Sequence, residues 1–266
     1  MLRKLLKYDL REMLRRSYPF FAASGAVSLL CCALMYFSRS FQEESGFGFF
    51  TAISFYGIGI FAIVVLLAIN MFFAVARYYK SFFTDEGYLY MVIPTDTKKL
   101  LIGKIMSAYI WIFSSIVVGA LSLFIAVALP NMLYDPRGFF SLLEGFGAEG
   151  LFPEFMLGLA SSVLSGIQFL ITILENITII FASITVGSMM MSKHRIVGSV
   201  LFYFVISFVQ SSAMTVVEIL ILGLLMTESA AGYIISQLIG LLVSVAISVV
   251  MYFLNLHYLK NRFNIE

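Results

Sequence analysis

Apolar side chains fill six long runs of this chain, and short polar segments separate them. The runs fall at 18–37, 50–76, 105–130, 157–191, 196–226 and 231–256. A helix needs about 20 predominantly apolar residues to cross the hydrocarbon of a bilayer, and each run reaches that length. The pattern predicts an all-α, polytopic membrane protein whose six transmembrane helices form a single domain over residues 1–266.

The segment before the first run, residues 1–17, has its own periodicity. Basic residues alternate there with an apolar row at helical spacing, which consists of Leu2, Leu5, Leu6, Leu10, Met13 and Leu14. This predicts an amphipathic helix that lies along the membrane surface with its basic face toward the headgroups. The alternative is a basic flank that only orients the first span. Pro19 is expected to end this helix, and the first span is expected to stay uncleaved.

Composition and charge place the chain in a bilayer and orient it. Hydrophobic residues make up 61% of the chain and charged residues 12%, whereas soluble domains have about 25% charged residues. Once the six spans are drawn, 15 of the 17 Lys and Arg residues lie on the side of both termini. The positive-inside rule therefore predicts a cell (plasma) membrane protein with both termini in the cytoplasm. Short basic patches beside spans favour contact with anionic lipid and argue against nucleic acid.

Residue types that carry catalysis form no recognisable site. Cys31 and Cys32 are adjacent, and His194 and His257 lack neighbours at metal-ligand spacing. Gly103 and Lys104 lack the remaining positions of a phosphate-binding loop. The sequence therefore predicts that this chain is not an enzyme and holds no metal or cofactor, so any ATP must be bound by another chain.

Polar residues inside the fourth and fifth runs are the candidate functional positions in the membrane. Glu175 and Asn176 lie near the middle of the fourth run with Gln168 toward its start, and the fifth run contains Gln210 and Glu218. A carboxylate at membrane depth costs a few kcal/mol unless it is paired, protonated or hydrated. These residues either line a translocation path or join helices by hydrogen bonds. The second interpretation is favoured for Glu218, and both stay open for Glu175.

Small side chains recur every four residues along the sixth run and predict a helix-packing stripe. Such a stripe lets a neighbouring backbone approach closely, either within one subunit, which is favoured, or from a second subunit. Its members are Gly232, Ser236, Gly240, Ser244 and Ser248. The fourth run is long enough that we expect a tilt, a kink near Gly166 or an extension beyond the bilayer.

The longest polar interruption on the predicted cytoplasmic side lies between the second and third runs, at residues 81–104. Thr84 is placed to cap a short helix, with acidic residues in its first turn and Pro94 at its end. Thr95, Asp96 or Thr97 then caps the next helix. This predicts a short helix over residues 84–94 that carries aromatic and aliphatic side chains and needs a surface to pack on.

This segment resembles a known family. The pattern consists of Asp85, Glu86, Gly87, Tyr88, Leu89, Pro94, Leu100, Leu101 and Lys104. Together with the basic opening and six spans without a fused ATPase, it resembles the integral-membrane permease subunits of ABC type-2 exporters, the type V exporter fold. Members of the drug and sterol branch carry a helical hairpin before the last span. Here only about four residues, 227–230, separate the last two runs, so the outer gate is simpler or loop 131–156 replaces it.

The resemblance implies a function and partners. Residues 84–94 would be the coupling helix that docks on a soluble ATPase, and residues 1–17 the connecting helix beside it. The docking surface would comprise Asp85, Glu86, Gly87, Tyr88, Leu89, Tyr90, Met91 and Pro94. Two ATPase subunits, which bind ATP and Mg²⁺, and a second permease copy or paralogue would complete an exporter. Gln210 and Glu218 would be candidates to line the path between the permeases, whereas Glu175 would lie inside one of them.

Two other functions stay open, and the sequence does not indicate a substrate. The first is an ATP-independent carrier or channel that uses Glu175 for proton coupling. The second is a non-transporting sensor or immunity subunit that works with the same kind of ATPase.

Overall fold

The described part of the chain is α-helical and contains six helices of membrane-spanning length and composition. The computed structural model describes residues 2–40, 46–84, 87, 96–134, 152–191, 193–225 and 230–263. The helices are α1 (Leu2–Ser40), α2 (Gly46–Phe83), α3 (Thr97–Tyr134), α4 (Phe152–Met190), α5 (Arg195–Leu225) and α6 (Ala230–Phe263). The prediction of an all-α protein with six helices able to span a membrane is confirmed.

The first helix differs from its prediction in two ways. α1 continues through Pro19, so residues 1–17 are not a separate helix. A proline removes one backbone donor, but a complete break in an apolar environment would leave several backbone groups unpaired. The segment also buries Asp9, Met13 and Ser17, whereas Leu14 is 54% exposed. Met13 belongs to the predicted apolar row, and Leu5, Leu6 and Leu10 of that row are half-buried, so the buried face coincides with the row only in part.

The start of α3 is capped as one of the three predicted alternatives. The Asp96 carbonyl accepts the backbone N–H groups of Lys99 at 2.9 Å and Leu100 at 3.2 Å. The Asp96 carboxylate also accepts the backbone N–H of Lys98 at 3.3 Å. A side-chain acceptor for the first N–H groups of a helix is the defining feature of an N-cap, so Asp96, and not Thr95 or Thr97, occupies this position.

The chain divides into two compact units, and the boundary between them cuts through α1, α2 and α3. The first unit comprises Met1–Lys7, Val75–Tyr109 and Leu151–Glu266, and the second comprises Tyr8–Ala74 and Ile110–Gly150. In the second unit a small core joins the three helices: Cys31 on α1, Ile63 on α2 and Ala126 on α3 are all buried.

In the first unit α4 packs against both α5 and α6. Within its spanning segment, 61% of the most apolar stretch is buried, and the buried residues concentrate between Ile173 and Ser188. α4 has 39 residues, which corresponds to about 58 Å at 1.5 Å per residue. It continues through Gly166 as one helix and is longer than the roughly 30 Å hydrocarbon.

Candidate functional site

Most of the predicted docking surface lies outside the described residues: Asp85, Glu86, Tyr88, Leu89, Tyr90, Met91 and Pro94. Gly87 is described, and its backbone N–H donates to the Thr84 carbonyl at 2.8 Å. The Thr84 hydroxyl donates back to the Lys80 carbonyl at 2.7 Å. A Cβ at Gly87 would lie 3.0 Å from the backbone of Phe82. The chain therefore turns tightly against the end of α2 as it enters the predicted docking segment.

Immediately before that turn, a buried polar cluster joins α2 to α4 and α6. The Tyr78 hydroxyl lies 2.8 Å from the Thr185 hydroxyl and donates to the Asn255 side-chain oxygen at 3.1 Å. The Thr185 hydroxyl lies 2.7 Å from the same oxygen. Each of the three side chains is at most 1% exposed. Buried polar groups that bond one another fix the relative register of the helices that carry them.

Two further contacts hold the same end of α2. The Tyr78 ring stacks on Phe181 of α4, with centroids 3.7 Å apart and planes 10° from parallel. The guanidinium of Arg195, the first residue of α5, donates to the Phe83 carbonyl at 3.2 Å. This carbonyl belongs to the last turn of α2, which lacks intrahelical partners. We call Tyr78 and Phe83, with their partners Phe181, Thr185, Asn255 and Arg195, the α2 anchor.

α4 and α5 approach each other backbone to backbone beside the α2 anchor. A Cβ at Gly187 would overlap the backbone of Gly198 and Ser199, and a Cβ at Gly198 would lie 2.6 Å from the Gly187 carbonyl oxygen. The Ser199 hydroxyl donates to the Arg195 carbonyl at 2.8 Å. Glycine at both positions is what permits this close crossing.

Glu175 lies at the meeting point of α4, α5 and α6. Its side chain is 2% exposed, and its carboxylate accepts the Gln210 side-chain amide of α5 at 2.6 Å. The side chain of Ser244 of α6 lies close to the same carboxyl. The structure thus brings together Glu175 and Gln210, two of the five predicted path residues, with Ser244 of the small-residue stripe.

The other predicted path residues do not join this group. Asn176 is exposed, and its amide donates to the Thr172 carbonyl of its own helix at 2.8 Å. Gln168 contacts α6, since a Cβ at Gly240 would lie 3.3 Å from its amide nitrogen. Glu218 belongs to α5, and its side chain lies outside the described part of the chain.

The predicted small-residue stripe of α6 contacts α4 within the same chain. Gly240 lies against Gln168 and Ser244 against Glu175, and Ser248 is buried. Gly232 is also buried, and Ser236 is half-buried. Next to the stripe, the Gln237 amide donates to the Ser165 hydroxyl at 2.9 Å. The residue numbers of contacting pairs rise in the same direction along both helices, from Ser165 with Gln237 to Thr185 with Asn255. α4 and α6 therefore run parallel.

Sequence reasoning missed the α2 anchor. Asn255 in the sixth run and Thr185 in the fourth are polar interruptions at corresponding ends of parallel helices, and this is the signal that could have pointed to them. Their shared partner Tyr78 lies 107 residues before Thr185, and no local pattern links them. Within the described residues, no three His, Cys, Asp or Glu side chains are grouped as a metal site requires.

Comparison with known proteins leaves the family of this chain open. No protein-family model matches the chain, and searches of curated proteins and of solved structures found no match.

Proposed function

We propose that this chain is the membrane-spanning permease subunit of an ATP-binding-cassette exporter, and that a separate soluble ATPase docks on residues 84–94. Six helices of spanning length and the sequence pattern of the segment between α2 and α3 support the proposal. The observation that carries it is the α2 anchor. A helix end that is fixed to three other helices directly before the predicted docking segment is suited to pass a mechanical displacement into the membrane.

The proposed mechanism follows from these contacts. ATP and Mg²⁺ bind to the partner ATPase subunits, which supply the chemical step, and closure of those subunits displaces residues 84–94. Because Tyr78 is bonded to Thr185 and Asn255, the end of α2 moves together with α4 and α6. Nucleotide binding can shift the conformation only if the partner contacts the two states differently. The cavity that opens lies between this chain and a second permease.

The environment of Glu175 supports the exporter over a proton-coupled carrier. A residue that exchanges protons with a transport pathway needs access to water, whereas Glu175 is 2% exposed and accepts the side-chain amide of Gln210 from α5. Bonds of this kind between spanning helices stabilise their packing. We therefore assign Glu175 a structural role in this permease and place no transport step on it.

Purification of the native complex tests the assignment most directly. A soluble ATPase should co-purify with the wild-type chain, and the double variant Tyr88→Glu/Leu89→Glu should lose it while still inserting and folding. The matched control is Lys98→Gln/Lys99→Gln, which alters two exposed residues of the first turn of α3 and should retain the partner.

The other functions predict different results. Full recovery of the ATPase with the double variant would place docking elsewhere, and the absence of any ATPase with ATP-independent flux would establish a carrier or channel. A stable complex that hydrolyses ATP but moves no substrate in proteoliposomes would establish a sensor or immunity subunit.

A further inference from the structure

An outward face of α1 combines basic and aromatic side chains just before the first apolar run. Tyr8, Arg11, Arg15 and Tyr18 share one side of the helix and enclose, with Glu12 and Leu14, a shallow groove of about 740 Å³. The two tyrosines are 69% and 68% exposed. The buried stripe of Asp9, Met13 and Ser17 lies on the opposite side of the helix. We call the outward side the Tyr8–Tyr18 face.

The charge of this face is positive despite the presence of Glu12. The Glu12 carboxylate is paired with Arg16, which lies outside the groove, at 2.9 Å. Two guanidinium groups, those of Arg11 and Arg15, therefore determine the charge of the groove, and both residues are exposed. Guanidinium binds phosphate through two parallel hydrogen bonds, so the complementary ligand is an anion that carries a phosphate group.

The position of the face along the helix identifies the source of that phosphate. Tyr18 is the first residue of the apolar run 18–37, and tyrosine is enriched at the border between hydrocarbon and headgroups. At 1.5 Å per residue, Arg15 lies about 4.5 Å and Arg11 about 10 Å beyond Tyr18. The headgroup layer of a bilayer is roughly 5–8 Å thick on each side. Arg15 therefore lies at the depth of lipid phosphates, and the long side chain of Arg11 can reach them.

We propose that the Tyr8–Tyr18 face is a binding site for an anionic phospholipid headgroup in the leaflet that contains the N-terminus. Arg11 and Arg15 bind the lipid phosphate, and the ring of Tyr18 flanks the headgroup at the interface. The inference depends only on the charge, exposure and position of this face, and it is independent of the exporter assignment.

Native mass spectrometry of the detergent-solubilised chain, titrated with phosphatidylglycerol or phosphatidylcholine, tests the proposal. The wild type should retain phosphatidylglycerol in preference to phosphatidylcholine. A basic residue that meets an anionic headgroup strengthens attachment about fivefold, so the loss of both contacts in Arg11→Gln/Arg15→Gln should weaken phosphatidylglycerol binding about thirtyfold. The control Lys98→Gln/Lys99→Gln removes the same charge beside another span and should leave retention unchanged. Both variants should melt at the wild-type temperature in phosphatidylcholine, since they change exposed residues.

Four results would overturn the proposal. The first is equal retention of phosphatidylglycerol by the wild type and by Arg11→Gln/Arg15→Gln. The second is an equal loss of phosphatidylglycerol binding in the lysine control, which would show that binding depends only on net charge. The third is displacement of the lipid by millimolar glycerol 3-phosphate, which would identify a site for soluble phosphates. Loss of a soluble protein partner from Arg11→Gln/Arg15→Gln, with lipid retention unchanged, would show that the face binds protein instead.

Discussion

α4 and α5 are nearly identical in hydropathy but differ in how much of their most apolar stretch is buried. The mean hydropathy of the most apolar stretch is 2.0 in α4 and 1.9 in α5, yet 61% of that stretch is buried in α4 and none in α5. Lipid tails are as apolar as a protein core, so hydropathy selects helices that enter the bilayer without selecting those that lie inside the protein. The central position of α4 must therefore come from another property of its sequence.

That property is where the polar and small residues lie, not how many there are. In α4 the side chains of Glu175 and Thr185 and the backbone of Gly187 meet α5, α6 or the end of α2. In α5 Ser211 and Ser212 are exposed. Polar groups stabilise a membrane helix against its neighbours only when their partners lie on those neighbours. The contrast between α4 and α5 can be tested by paired substitutions.

The largest effect is expected at the crossing of α4 and α5. In Gly187→Leu the new side chain would overlap the backbone of Gly198 and Ser199, and backbone atoms cannot move aside as a flexible side chain can. Overpacking typically costs about 1–3 kcal/mol and more where the contact cannot relax. We therefore expect a large fall in the thermal midpoint or loss of folded protein. Gly166→Leu is the control, since a Cβ there meets nothing within 4 Å. Equal melting of the two variants in detergent would show that α4 and α5 do not cross at Gly187.

A phenylalanine pair tests the burial contrast itself. Phe181 of α4 is 2% exposed and stacks on Tyr78, whereas Phe208 of α5 is 73% exposed. Phe181→Ala leaves a cavity and should destabilise the protein by about 2 kcal/mol, below the range for soluble cores because transfer from water is not involved. Phe208→Ala should change stability by less than about 0.5 kcal/mol. Denaturant titration followed by circular dichroism measures the stability of both variants. Similar losses of stability would mean that Phe208 of α5 is also buried.

Sequence patterns predicted the number and approximate limits of the helices because each span must satisfy its own backbone hydrogen bonds. The cap at Asp96 was among the predicted alternatives for the same local reason. The α2 anchor could not be predicted, because Tyr78, Thr185 and Asn255 come from three distant segments. The continuity of α1 was missed because Pro19 was read as a break. Glu175 was recognised as unusual, but its partners Gln210 and Ser244 depend on which helices are neighbours.

A smaller effect is expected when the Tyr78 hydroxyl is removed. Tyr78→Phe keeps the stack on Phe181 and deletes the hydrogen bonds to Thr185 and Asn255. Hydrogen bonds between membrane helices contribute about 1 kcal/mol, so the midpoint of unfolding should fall modestly. Tyr79→Phe, at the neighbouring half-buried position, is the control. If the exporter proposal holds, Tyr78→Phe should keep its ATPase partner and hydrolyse ATP with less transport per ATP. If Tyr78→Phe transports as much substrate per ATP as the wild type, the α2 anchor takes no part in the mechanism.

The smallest change in stability is expected from Glu175→Gln, which preserves shape and an acceptor oxygen for the Gln210 amide. An ionised carboxylate is costly at membrane depth, so removing the charge should leave stability unchanged or raise it by less than about 1 kcal/mol. Glu175→Leu should be less stable than Glu175→Gln, because it leaves the amide of the half-buried Gln210 without its acceptor. Asn176→Ala, at an exposed position of α4, is the neutral control.

Transport by Glu175→Gln in proteoliposomes should equal that of the wild type, because the side chain joins α4 to α5 and α6. A loss of flux with unchanged melting would instead place Glu175 on the substrate pathway and make the meeting point of these helices the functional centre of the protein.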